Sequence, residues 1–187
     1  DLRKMFSECA KWVGSIDRVD RIDEYISRAF HTAQSGRKGP VVLALPEDIL
    51  FAQGVDKPTL PAHIVQPGLN PLVFAQAMST FDEATQPMII IGGSSWNINT
   101  CQQLQQWAEK NHIPIVTSFR YQDLIDNESP AYAGFLGLGI NPKLVQRVTD
   151  ADVVLVIGDR LGEITTLGYT LFTVPQPKQA MIHVHPG

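Results

Sequence analysis

Cysteine is almost missing from this chain. Cys9 and Cys101 stand alone, with no CxxC pair. That excludes a disulfide framework and a zinc ribbon, and it predicts a reducing, cytoplasmic setting. Basic clusters are missing too. The formal net charge is -4 and the pI about 5.7, so a nucleic-acid surface is not expected. No apolar run approaches the roughly 18 residues of a membrane span, and no signal peptide is visible. An initiating methionine is also lacking. The chain opens on DLRKMFSECAKW, which predicts a piece excised from something longer. Charge is sparse at 18%, against 44% hydrophobic residues, so a sizeable core is expected and disorder is not.

What is present is organised around Gln86 to Ser95, QPMIIIGGSS. Four apolar residues, Met88 to Ile91, run straight into Gly92, Gly93, Ser94 and Ser95. A short, mostly β-branched run closed by paired glycines predicts a buried parallel strand entering a tight loop. In an open α/β sheet, ligands bind just beyond such carboxyl ends. A strand followed by a plain turn is the equally weighted alternative.

The preceding chain predicts a helix over Asp20 to Ser35, with Asp20 as N-cap and Ile22, Ile26, Ala29, Phe30 and Ala33 on its apolar face. Met5 to Val13 reads as a short helix or irregular. Val41 to Leu45 reads as a buried strand lacking the rest of its sheet, and Glu47-Asp48 as the start of a one-turn helix. Between Phe51 and Pro71 lie Pro58, Pro61 and Pro67 with little periodicity, which predicts a linker. The expected organisation is 1–50 as the end of one domain, 51–68 as linker, and 69–187 as a second domain.

That second part alternates helix and strand. Helices are expected over Leu69 to Ala84 (Leu72, Ala75, Ala77, Met78 and Phe81 inward), Thr100 to Asn111, and Pro142 to Val148. Strands are expected at Ile113 to Thr117, Ala131 to Ala133, Val153 to Ile157 and Ala180 to Val184. The prediction is an α/β fold, a doubly wound parallel sheet, with an N-terminal helix-strand remnant of a preceding domain.

The chemistry-bearing residues are few. Gly92-Gly93-Ser94 is not GxGxxG, yet it could offer N–H groups to a phosphate. Arg160, in Gly158-Asp159-Arg160 after a strand, could grip a diphosphate in bidentate fashion, or bridge to Asp159 or Glu163. Thr117 and Ser118 could bond a ribose or phosphate, or cap the next turn. His183 and His185 share a strand face but lack a third metal ligand. No nucleophile, base and acid come together, so no catalytic or metal residue is assigned.

Gly39-Pro40-Val41-Val42-Leu43-Ala44-Leu45-Pro46-Glu47-Asp48 resembles the "GPV-x-L-x-x-P-x-D" segment closing the pyrimidine-binding domain of thiamine diphosphate-dependent enzymes. Arg28-Ala29-Phe30 and Ala33 to Gly36 resemble the helix before it. Pro87 to Gly93, Trp107-Ala108-Glu109, Ile113-Pro114-Ile115, Tyr132-Ala133-Gly134 and Ala151 to Arg160 resemble the central, Rossmann-like domain, in the right order. Acetolactate synthase-like members look nearest.

The resemblance implies a parent that decarboxylates a 2-oxo acid and transfers a two-carbon unit, with thiamine diphosphate as electron sink. Acetolactate formation from pyruvate is the first expectation, and a benzoylformate- or oxalyl-CoA-type decarboxylase the near one. The family's activating glutamate and its "GDG…N" site for magnesium and diphosphate lie in parts absent from this chain, so the isolated chain is expected to be inactive. Partners are the missing pyrimidine- and diphosphate-binding domains, in a homodimer or homotetramer. The central domain holds FAD in acetolactate synthases and ADP in oxalyl-CoA decarboxylases; other members leave it empty. The matching positions are Gly92, Gly93, Ser94, Thr117, Ser118, Gly158 and Arg160. His185 departs from the aspartate usual in flavin binders. The alternative is a non-catalytic FAD or nucleotide module like that of electron-transfer flavoproteins.

Overall fold

The computed structural model describes residues 1–54, 63–64 and 68–186. Pro58, Pro61 and Pro67 of the expected linker lie outside the described residues. The chain divides into two compact units, one up to Gly68 and one over Leu69–Pro186.

In the first unit, helix α1 (Leu2–Phe6) precedes strand β1 (Trp12–Ser15), and helix α2 (Ile22–Gln34) precedes strand β2 (Val41–Ala44), with helix α3 (Glu47–Phe51) after it. β1 corrects the expectation for Met5 to Val13. It pairs in parallel with β2, Trp12 against Val41 through Ser15 against Ala44, so β2 is not alone. Four residues with a central glycine gave too short a signal for a strand. Asp20 does not cap α2. A 3-10 turn at Val19–Arg21 leads in, and Asp20 instead pairs with Arg18 at 2.7 Å. The expected apolar stripe is only partly covered. Ile22, Ala29 and Ala33 are half-buried, while Ile26 and Phe30 are exposed. Two strands are too narrow to cover the whole face.

The second unit is a five-stranded, all-parallel sheet. Its strands are β3 (Met88–Ile91), β4 (Ile115–Thr117), β5 (Tyr132–Phe135), β6 (Val153–Ile157) and β7 (Ala180–Val184), in the order β5-β4-β3-β6-β7. The helices are α4 (Pro71–Asp82), α5 (Ile98–Asn111) and α6 (Pro142–Thr149). Each begins at an asparagine, Asn70, Asn97 or Asn141, whose side chain accepts a first-turn N–H. Pro71 and Pro142 occupy the first helical position, where a missing N–H does no harm.

Both faces of the sheet are covered, as a parallel sheet requires. Met88, Ile90, Val116, Val154 and Val156 point to one side with Leu144 and Val148 of α6. Ile89, Ile91, Ile115, Val153 and Leu155 point to the other, with Phe81 of α4 and Ala108 of α5. α4 is covered only at its second half. Phe81 is buried and Ala77 and Met78 half-buried, but Leu72 and Ala75, expected inward, are exposed.

The strand order places the chain's reversal at β3. From there the sheet grows one way through β4 and β5, then the other way through β6 and β7. The crevice between the ends of β3 and β6 is therefore the topological switch point. Among the described residues no helix is long and apolar enough to cross a membrane.

Candidate functional site

β3 and β6 are parallel neighbours in register, Ile91 opposite Ile157, so the loops leaving them meet at one edge. Gly92 and Gly93 leave β3; Gly158 and Asp159 leave β6. Gly93 and Gly158 both have positive φ, 77° and 80°, which suits glycine. A Cβ on Gly93 would collide with the carbonyl oxygen of Gly158, and one on Gly92 with the hydroxyl of Ser118. The glycines thus let three strand ends close on one another.

The backbone donors here are largely engaged. Gly92 N–H donates to the Ile157 carbonyl at 3.1 Å, Ser118 N–H to Ile91 at 2.8 Å, and Gly158 N–H to Val184 at 2.9 Å. An amide cradle for phosphate at these positions is therefore not free. Thr117 and Ser118 are 0% exposed, and both hydroxyls lack a hydrogen-bond partner. They do not cap the following turn. They form a floor below the loops.

Of the expected site residues, the fold brings together Gly92, Gly93, Thr117, Ser118 and Gly158 as this floor. Ser94 and Arg160 stand above it, exposed to solvent. Neither Asp159 nor Glu163 bridges to Arg160. The Asp159 carboxylate instead accepts the Leu161 N–H at 2.9 Å.

Two of the site's neighbours, Trp96 and Arg120, were not singled out from the sequence, and a third, His183, was weighed there only as half of a metal pair. Trp96 donates its indole N–H to the Gly92 carbonyl at 2.7 Å and pins the loop after β3. His183 donates from Nε2 to the Asp159 carbonyl at 2.7 Å and pins the loop after β6. Its ring lies 5.8 Å from that of His185, as alternation on one strand face requires. Arg120, in the loop after β4, is exposed, has φ 69° and lies over the Phe119 ring at 5.0 Å. Read as a plain loop residue, it carries no sequence signal for that conformation.

A groove of about 630 Å³ opens beside Trp96, between the first turns of α5 and the 3-10 turn at Gln122–Leu124. Its charged lining groups are Asp123 and Asp126, so it repels anions. None of the expected site residues lines it.

Residues 74–187 match the family described as "Thiamine pyrophosphate enzyme, central domain". Among curated relatives, a probable acetolactate synthase large subunit of Methanocaldococcus jannaschii is 27% identical over 194 aligned positions, covering 100% of this chain and 33% of the relative. A sulfoacetaldehyde acetyltransferase of Castellaniella defragrans is 29% identical, covering 87% of the chain and 27% of the relative. A glyoxylate carboligase of Escherichia coli O157:H7 is 26% identical, covering 87% and 28%. The chain thus spans about a third or less of the length of these relatives. The first alignment also runs through the residues before the five-stranded sheet, so the reading as a free-standing flavin module finds no support. With a family match over the whole parallel sheet and its switch point, the chain belongs to the thiamine pyrophosphate enzymes and carries their central domain.

Proposed function

We propose that this chain is the central portion of an acetolactate synthase-like 2-oxo acid decarboxylase and carboligase, and that it holds no catalytic residue itself. Residues 1–50 are then the end of the pyrimidine-binding domain, 51–68 the linker, and 69–187 the central domain. The observation that carries this reading is the alignment of the entire chain, α2 and β2 included, with an acetolactate synthase large subunit. Thiamine diphosphate, with magnesium, belongs to the remainder of the parent, where it supplies an electron sink for decarboxylation. The parent is a cytoplasmic homodimer or homotetramer.

The strand-end crevice suits the diphosphate of a nucleotide, as ADP or within FAD. Arg160 supports this, being exposed, beside the switch point, and in no ion pair among the described residues. Ser94 is the neighbouring hydroxyl, and Gly92, Gly93, Thr117, Ser118 and Gly158 supply the floor. His185 stands where flavin binders usually carry an aspartate, which weighs against FAD.

The test has two parts. The parent should release carbon dioxide from pyruvate with thiamine diphosphate and magnesium, and this chain alone should not. Release by the chain alone overturns the assignment. Calorimetry with FAD and ADP, on the chain and on Arg160→Ala, examines the nucleotide site; binding indifferent to the substitution removes Arg160 from it.

A further inference from the structure

The opening turns of α4 carry no charge and meet no core. From Leu69 to Phe81 the sequence has no charged side chain. Leu69, Leu72, Val73 and Phe74 are each more than half exposed, and Ala75 and Gln76 beside them are exposed as well. Partial burial starts at Ala77. It is complete at Phe81, which packs with Trp107 against the sheet. Length accounts for the overhang. A helix of 12 residues is about 18 Å long, and a strand of 4 residues such as β3 about 13 Å. The helix outruns the strand by about one turn.

α5 and α6 differ from it. Beyond their first residues, their exposed positions are polar or charged, as at Gln102, Gln106 and Lys110, and at Lys143 and Gln146. In α4, Leu72, Val73, Phe74 and Ala75 are consecutive. Successive residues turn by about 100°, so these four spread apolar surface round most of the helix. A surface helix has one apolar stripe, whereas a helix apolar all round is buried from several sides. A second copy packing helix to helix across a two-fold axis would cover one side of each α4 and leave the rest bare. A surrounding polypeptide can enclose it. The chain spans about a third or less of the length of its relatives, so most of such a polypeptide lies outside it.

We propose that the opening turns of α4 seat in an apolar, uncharged socket formed by the part of the parent polypeptide outside this chain. This rests on the reading of the chain as a portion of a longer enzyme. Burial of Leu72, Val73 and Phe74 drives the contact, and exposed apolar patches of this kind mark interaction surfaces. The socket is uncharged because α4 offers no charge there to pair with, and a charge buried against it would stay uncompensated.

Hydroxyl-radical footprinting, read by mass spectrometry on the 187-residue chain and on the intact parent, tests this. Leu72 and Phe74 should be oxidised severalfold faster in the chain than in the parent. The double variant Leu72→Gln with Phe74→Gln keeps good helix propensity at position 72 and removes the apolar surface. It should leave the melting temperature of the 187-residue chain unchanged and lower that of the parent by several degrees. Equal oxidation in chain and parent overturns the socket. So does protection already present in the isolated chain: growth of that protection with concentration would name a second copy as the cover, and independence of concentration the chain itself. A parent that protects Leu72 and Phe74 yet releases no carbon dioxide from pyruvate supports the socket and overturns only the activity assigned above.

Discussion

Gly93 and Gly158 meet backbone to backbone at the switch point. A Cβ on Gly93 would strike the carbonyl of Gly158, and one on Gly158 would strike the carbonyl of Gly92. Backbone cannot swing aside as a side chain can. Gly93→Ala should therefore cost about 3 kcal/mol or more, combining positive-φ strain with a backbone collision. Gly139 is the control. Its φ is also positive, 74°, with nothing within 4 Å of a Cβ, so Gly139→Ala should cost only about 1 kcal/mol. Urea denaturation of both variants checks the difference; equal losses would mean the contact does not matter.

Arg160 should be neutral for folding. It is exposed and bridges to no acid among the described residues, so Arg160→Ala should shift stability by less than about 0.5 kcal/mol. A loss several times larger, by the same denaturation, would return Arg160 to a structural role.

Asp152 should govern the acid limb of stability. Its carboxylate accepts the Thr85 N–H at 2.6 Å, the Thr85 hydroxyl at 2.8 Å, the Gln86 N–H at 3.0 Å and its neighbour Val153 N–H at 2.8 Å. It thereby ties the entry of β3 to the entry of β6. Desolvation is the largest single influence and raises the pKa. The four hydrogen bonds together outweigh it and hold the pKa at about 2, below the usual 3.8. A depressed carboxylate stabilises fully above its unfolded pKa and loses that contribution as pH falls through the folded one. Asp152→Asn should therefore be less stable at pH 7, by about 1–2 kcal/mol. The gap should close between about pH 4 and pH 2. A gap constant across that range would rule out linkage.

Much of the central sheet was legible because burial on both faces writes itself as an unbroken apolar run. Met88 to Ile91 and Val153 to Ile157 are strands at those bounds, and the asparagine caps at Asn70 and Asn141 mark their helices. β1 was not legible, because Trp-Val-Gly-Ser reads as a strand only once β2 lies beside it. Leu72 misled because it obeys helical spacing, yet 81% of it is exposed. Spacing shows which residues share a face, not whether anything covers that face. At the site, the glycines and Arg160 were visible as types at strand ends. Engagement of Gly92, Ser118 and Gly158 N–H groups in the ladder, and the backbone of Arg120, depend on register and local φ, which residue types do not encode.

The first unit should exchange its amide hydrogens well ahead of the second. Ile16 is its buried large hydrophobic residue among those described, and none of α1, α2 or α3 contains a buried residue. All four residues of β2 are only half-buried, whereas β3 is at most 1% exposed throughout. A two-stranded sheet with little core opens at small cost, while strands buried on both faces open only near global unfolding. In the isolated chain, amides of Val41 to Ala44 should exchange at least about tenfold faster than those of Met88 to Ile91 and Val153 to Ile157, since a gap of 1.4 kcal/mol in opening free energy suffices for about tenfold. Hydrogen exchange read by mass spectrometry on a chain shown to be monomeric measures this. Equal protection of Val41 to Ala44 and the central strands would mean the first unit is stabilised by something its own burial does not supply.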